Sequence, residues 1–133
     1  MTPGYSGKPL PDKLGVKPGM NALFFAAPED VVEPWRATLA EADTLLDFAM
    51  IFATRRVDLE SALQQTRPKL KENGMIWAAW PKKASKVPTD ITEDTIRDLA
   101  FPLDLVDVKV CAVSETWSGL KLVIRLSHRK AGN

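Results

Sequence analysis

Trp80-Pro81-Lys82-Lys83-Ala84-Ser85 sets two ammonium groups and a hydroxyl directly after an apolar run that begins at Met75. Lysines and a hydroxyl in one short loop can hold a phosphate or a carboxylate, because charge-assisted hydrogen bonds are much stronger than neutral ones. Lys86 extends the positive charge. The plainer reading is a solvated basic loop with Trp80 packed beneath it. Thr116-Trp117-Ser118-Gly119 is a second candidate. Trp117 at a hairpin tip can stack on a ligand or partner with Ser118 beside it, or fold back over the sheet while Gly119 serves the turn. Tyr5, Ser6 and Lys8, on an arm near the start of the chain, complete the proposed ligand-binding set of Tyr5, Ser6, Lys8, Trp80, Lys82, Lys83, Ser85, Trp117 and Ser118.

Other groups carry less. Asp107 and Lys109 share one face of an alternating run, and a turn centred near Thr116 would put Arg125 opposite Asp107 as a cross-strand ion pair. Cys111, the single cysteine, has no histidine nearby in the sequence and reads as a small apolar filler. The one histidine, His128, lies in the polar tail, which argues against histidine-based triads and zinc sites. Asp90, Glu93 and Asp94 are explained by helix capping without a metal. Neither a GxxxxGK[ST] phosphate loop nor a nucleophile elbow is present.

These groups need elements to position them. The chain has 133 residues, 45% hydrophobic and 26% charged, which suits one soluble domain with a single core. A net charge of +1 lacks the footprint of a nucleic-acid binder, and the apolar runs are too short for a membrane span. The start of the chain lacks the charged and apolar regions of a signal peptide, and a lone cysteine forms no internal disulfide; a cytoplasmic location is the expectation.

Residues 1–15 read as an extended arm, rich in proline and glycine, with a short helical turn at 12–14. Residues 16–126 read as the folded domain and 127–133 as a polar tail. Short continuous apolar runs at 20–27, 47–53 and 75–80 suit parallel strands covered on both faces. Between them, residues 31–41 read as a helix with Asp30 as a candidate cap. Pro34 would then belong to its first turn. A second helix is expected to be capped by Asp58 and broken by Pro68, and Asn73-Gly74 to end the segment in left-handed geometry. Residues 89–94 open a further helix that Pro102 stops. Residues 105–113 and 120–126 alternate around a turn, with Val106, Val108, Val110 and Ala112 on one face, and read as a hairpin. The predicted fold is α/β: a single Rossmann-like domain with a mostly parallel sheet and a C-terminal antiparallel β-hairpin.

This order is similar to the Rossmann-like S-adenosylmethionine methyltransferases, in which a helix precedes a closing antiparallel hairpin. Leu70-Lys71-Glu72-Asn73-Gly74-Met75-Ile76 and Leu14-Gly15-Val16-Lys17-Pro18-Gly19-Met20 resemble that family's approaches to two of its strands. The chain departs from it after the first strand. Ala26-Ala27-Pro28-Glu29-Asp30 stands where a glycine-rich turn is needed, and no further strand-helix unit fits before Asp47 to carry a ribose-binding acid. No cofactor is therefore expected, S-adenosylmethionine included. Tyr5-Ser6-Gly7-Lys8-Pro9-Leu10, Trp80-Pro81-Lys82-Lys83-Ala84-Ser85, residues 106–113 and residues 116–125 resemble a family of small bacterial proteins known only as a domain of unknown function. That likeness implies a bacterial protein and brings no activity with it.

The functional expectation is a non-catalytic module that binds a small anionic ligand or a partner protein. An enzyme of transferase descent, with Lys82 or Lys83 stabilising negative charge, is one alternative. A structural protein acting as a homodimer is another. Neither nucleic acid nor membrane is expected as a partner.

Overall fold

A computed structural model describes residues 9–125. It contains α1 (Leu10–Leu14), β1 (Asn21–Phe25), α2 (Glu29–Arg36), β2 (Ala40–Glu41), β3 (Leu46–Phe52), α3 (Arg56–Thr66) and β4 (Leu70–Pro81). These are followed by α4 (Glu93–Ala100), β5 (Leu105–Ala112) and β6 (Trp117–Ile124). The strands form one six-stranded sheet in the order β2-β1-β3-β4-β6-β5. β2, β1, β3 and β4 pair in parallel, and β6 runs antiparallel to both β4 and β5. The Rossmann-like α/β domain with a closing antiparallel hairpin is the architecture that the apolar runs imply.

β4 is buried almost throughout because both of its faces are covered. Ile76, Ala78 and Trp80 enter the layer that holds Leu59, Leu63, Ile96 and Leu99 of α3 and α4. Met75, Trp77 and Ala79 enter the opposite layer, with Leu14 of α1 and Val32 and Trp35 of α2. The Trp77 indole is fully buried, and its N–H donates to the Leu14 carbonyl at 3.0 Å. That bond satisfies a polar atom in an apolar layer and docks α1 on the sheet.

Several local expectations change. The helix expected over residues 31–41 ends at Arg36. Residues 40–41 instead form a two-residue strand whose Ala40 and Glu41 lie opposite Asn21 and Ala22. Pro34 sits in the second turn of α2, where it supplies no N–H to the helix ladder, and the helix ends two residues later. Asp58 does not cap α3: the flanking residue is Arg55, and the Arg56 backbone N–H donates to the Asp90 carboxylate at 2.6 Å. Asn73-Gly74 does not terminate a helix, because β4 has already begun at Leu70. A Cβ on Gly74 would lie 2.7 Å from both the Leu46 carbonyl oxygen and the Leu70 Cδ1, so close approach of the backbones explains this glycine.

The hairpin is also re-registered. β5 shifts its pairing with β6 between Asp107 and Lys109, so residue 108 is an extra residue in the ladder. Val106 lies opposite Val123 and Val110 opposite Leu120, and these partners belong to different core layers. The expectation that Val106, Val108, Val110 and Ala112 share one face is therefore wrong. The pairing ends with Leu105 opposite Ile124, which places Leu122, not Arg125, across from Asp107. Asp107 binds Arg97 of α4 at 3.0 Å instead.

Candidate functional site

The carboxyl ends of β1, β3 and β4 and the start of β6 meet along one edge of the sheet, and two clefts open there. The larger, about 550 Å³, is walled by Trp80, Pro81, Lys82, Lys83 and Ser118 on one side and by Thr89, residues 91–94 and Arg97 on the other. Trp80 lies opposite Ser118 in the β4–β6 ladder, which puts the indole and the hydroxyl on the same face. Pro81 ends β4, and the Lys82 backbone N–H then donates to the Thr116 carbonyl at 2.8 Å. Lys82 is half-buried and Lys83 exposed.

Neither Lys82 nor Lys83 forms an ion pair or side-chain hydrogen bond among the described residues. Arg97, the other cation in this cleft, is engaged by three carboxylates. It meets Asp107 at 3.0 Å, Asp94 at 3.0 Å and Glu93 at 2.9 Å. Hydrogen bonding to Asp107 above all, with Asp94 and Glu93 behind it, holds the guanidinium above its ordinary range. Glu93 and Asp94 at the helix start are thus engaged with Arg97, whereas the two ammonium groups have no such partner among the described residues.

The far wall is fixed by stitches to β3 and α3. Thr89 Oγ1 donates to the Thr54 carbonyl at 2.7 Å, and the Ile91 N–H donates back to Thr89 Oγ1 at 3.1 Å. Thr92 caps α4 in a reciprocal box with Thr95. Ser85 acts within its own loop, where its hydroxyl donates to the Lys82 carbonyl at 2.6 Å and accepts from the Val87 N–H at 3.2 Å. It shapes the lysine loop and does not line the cleft.

The second cleft, about 330 Å³, lies at the ends of β1 and β3 and is walled by Phe25, Ala26, Ile51, Phe52, Ala53, Thr54, Asp58, Ala62 and Trp117. Trp117 is not at a loop tip: it is the first residue of β6, half-buried, with its ring edge-to-face on Phe52 at 5.1 Å and 86°. Because Trp117 lies opposite Pro81 while Ser118 lies opposite Trp80, strand alternation sends the two tryptophans to opposite faces. Gly119 is likewise in the strand, not the turn. A Cβ there would meet Val113 Cγ2 at 2.9 Å and the Trp77 ring at 3.1 Å.

The structure therefore brings Trp80, Lys82, Lys83 and Ser118 together, places Trp117 in the adjoining cleft and gives Ser85 to the loop. Tyr5, Ser6 and Lys8 lie outside the described residues, as does His128. Thr89, Thr92 and Arg97 are wall residues that sequence reasoning missed; the run Thr89–Asp94 signalled a helix start but not which cleft it faces. Among the described residues no group of three or more histidine, cysteine or acidic side chains is placed to hold a metal ion. No helix among them is long and apolar enough to cross a membrane.

Residues 12–126 match the model of a family described as "Protein of unknown function (DUF3052)". Comparison with curated protein sequences finds no match. Among solved structures, the chain is similar to a Sulfolobus solfataricus protein described as a type 11 methyltransferase, with a TM-score of 0.62 at 13% identity over 90% of this chain and 91% of that one. It is also similar to an S-adenosylmethionine-dependent methyltransferase from Aquifex aeolicus, with a TM-score of 0.57 at 13% identity over 85% and 87% of the two chains. A third is the fibrillarin pre-rRNA processing protein of Methanococcus jannaschii, at 0.57 and 10% identity over 92% and 71%. At such identities the likeness shows a methyltransferase-like fold.

That fold implies S-adenosylmethionine, and the residues at the end of β1 are a poor fit for it. Ala26 turns the chain at φ 55°, a left-handed conformation, while keeping a methyl group where a glycine would leave room. Pro28, which flanks α2, has no N–H, and Glu29 and Asp30 put carboxylates in the helix's first turn. An acid does stand at the carboxyl end of β2, contrary to expectation. Glu41 is held there by Arg36 at 3.0 Å.

Proposed function

The chain belongs to the DUF3052 family, whose description assigns no activity, and from the geometry of the site we propose that it is a non-catalytic module that binds a small anionic ligand in the cleft at the end of β4. The observation that carries this reading is the pair Lys82 and Lys83. Both ammonium groups border a cleft of about 550 Å³, and neither has an ionic partner among the described residues. The Trp80 indole and the Ser118 hydroxyl on the same wall would contribute an apolar surface and a hydrogen-bonding group. In this reading the lysines serve as electrostatic anchors.

A thermal-unfolding screen with inorganic phosphate, sugar phosphates and nucleotides tests the reading. A ligand at a hundred times its dissociation constant adds about 2.7 kcal/mol to stability. Lys82→Ala with Lys83→Ala should remove that gain and leave the unliganded unfolding temperature in place. A panel without a single lysine-dependent response would overturn the anion site.

A second reading, a homodimer, is favoured by β5. It is an edge strand, and Val108 and Val110 on it are 55% and 51% exposed. Two copies could pair these edges antiparallel about a two-fold axis. Sedimentation equilibrium showing a monomer at every concentration would remove it.

A further inference from the structure

We propose that the second cleft, at the ends of β1 and β3, binds a flat heteroaromatic ring that carries an amino group or a positive charge. In open α/β sheets ligands settle where neighbouring strands send their connections in opposite directions. That point in this sheet lies between β1 and β3: β1 leads outward to β2, whereas β3 leads to β4 on its other side. The cleft there, about 330 Å³, is of the size that encloses a small ligand.

Its walls define the class of ligand. Phe25, Ile51, Phe52 and Trp117 supply apolar and aromatic surface. The Trp117 ring is held edge-to-face on Phe52 at 5.1 Å, so it offers a stacking face whose orientation is already set. Among these walls Asp58 contributes the one carboxylate, in the first turn of α3. It is exposed and makes no ion pair or side-chain hydrogen bond among the described residues. Glu29 and Asp30 add negative charge at the start of α2, which follows β1 at the same edge. Arg56, on the same turn as Asp58, lines a separate small cavity between α3 and α4 and is not part of this wall.

A planar ring with an N–H donor or a cationic nitrogen satisfies both halves of this site, stacking on Trp117 and donating to Asp58. An anion of the same shape would have no hydrogen bond to donate to the Asp58 carboxylate. S-adenosylmethionine would find the Ala26 methyl group, and Pro28 without an N–H, where glycine backbone is needed.

The test follows the indole N–H signals of the four tryptophans in the full chain by NMR, with Trp117 assigned from Trp117→Phe. The protein is titrated with 4-aminoquinoline, with naphthalene-2-carboxylate as the anion of matching shape, and with S-adenosylmethionine. The expected result is saturable movement of the Trp117 signal by 4-aminoquinoline, with affinity about tenfold or more above that of the naphthoate. Asp58→Asn should erase that preference without changing the unfolding temperature, and Trp117→Leu should weaken 4-aminoquinoline by about tenfold. Lys82→Ala with Lys83→Ala should leave this binding intact, which separates it from the anion cleft. Equal affinity for the two rings, a response confined to Trp35, Trp77 or Trp80, tighter binding of S-adenosylmethionine, or no binding would each overturn the proposal. If Trp117→Leu does not fold, the exposed Asp58→Asn still decides it.

Discussion

Trp77 is fully buried and joins the central strand to the N-terminal helix. Trp77→Phe would keep a ring in the layer and delete the N–H that the Leu14 carbonyl accepts at 3.0 Å. The expected cost is about 1–3 kcal/mol, since a buried acceptor is left unpaired, and urea unfolding measures it. Gly119→Ala would press a methyl group into Val113 and the Trp77 ring, at 2.9 Å and 3.1 Å, for a loss of about 1–3 kcal/mol in the same assay. Asp47 predicts a pH effect. Burial alone would raise its carboxyl, but the Asn21 backbone N–H at 2.9 Å and the Lys71 ammonium at 3.0 Å outweigh burial and hold it below the ordinary 3.8. A carboxyl depressed in the folded state adds stability that is full above its unfolded value and drains away as pH falls through the folded one. The protein should therefore lose stability below about pH 4, and Asp47→Asn should flatten that acid limb in pH-dependent urea unfolding. The lysines of the candidate site were legible because they directly follow a recognisable strand. The face taken by Trp117 was not, because it depends on pairing with Pro81, far away in sequence.

At the scale of elements, α3 is capped by a partner that local spacing does not reveal. The N–H of Arg56 at the start of α3 finds Asp90, thirty-four residues on, rather than Asp58 in its own first turn. Asp90→Ala should cost about 1 kcal/mol and speed hydrogen exchange at the Arg56 amide, while the exchange of α4 stays unchanged. Thr92→Ala should do the reverse, because its box with Thr95 belongs to α4 alone. The strands read from continuous apolar runs were legible since β3 and β4 are buried on both faces. β2 has two exposed residues and no apolar signal, so it exists only through its pairing with β1. The extra residue at 108 is equally silent, as the alternation of residues 105–113 runs through it without a break.

At the scale of the molecule, two apolar layers are held apart by one sheet, and both clefts open where that sheet ends. The order of runs and helices was enough to imply the parallel sheet and its closing hairpin, because burial on both faces leaves a strong apolar pattern. Which groups meet at the sheet's edge follows from register and from stitches such as Thr89 to Thr54, which no local pattern encodes. A chain shortened to begin after Gly15 would strip Leu14 from its layer and orphan the Trp77 N–H. Its expected loss is about 3 kcal/mol or more, read as a fall in unfolding temperature and protection of β4 amides.

The docking of α1 also sets an order of events during synthesis. The acceptor on Leu14 waits for a donor sixty-three residues downstream, and the Lys13 ammonium reaches the Ala112 carbonyl ninety-nine residues away, at 3.0 Å. This helix therefore leaves the ribosome before β4 and the hairpin, and it can settle only after they have emerged. Closure over such separations is slow compared with local helix formation. A growing chain thus carries α1 undocked while β1 to β3 are made, and the later strands β4 and β5 are what allow the earlier helix to come to rest.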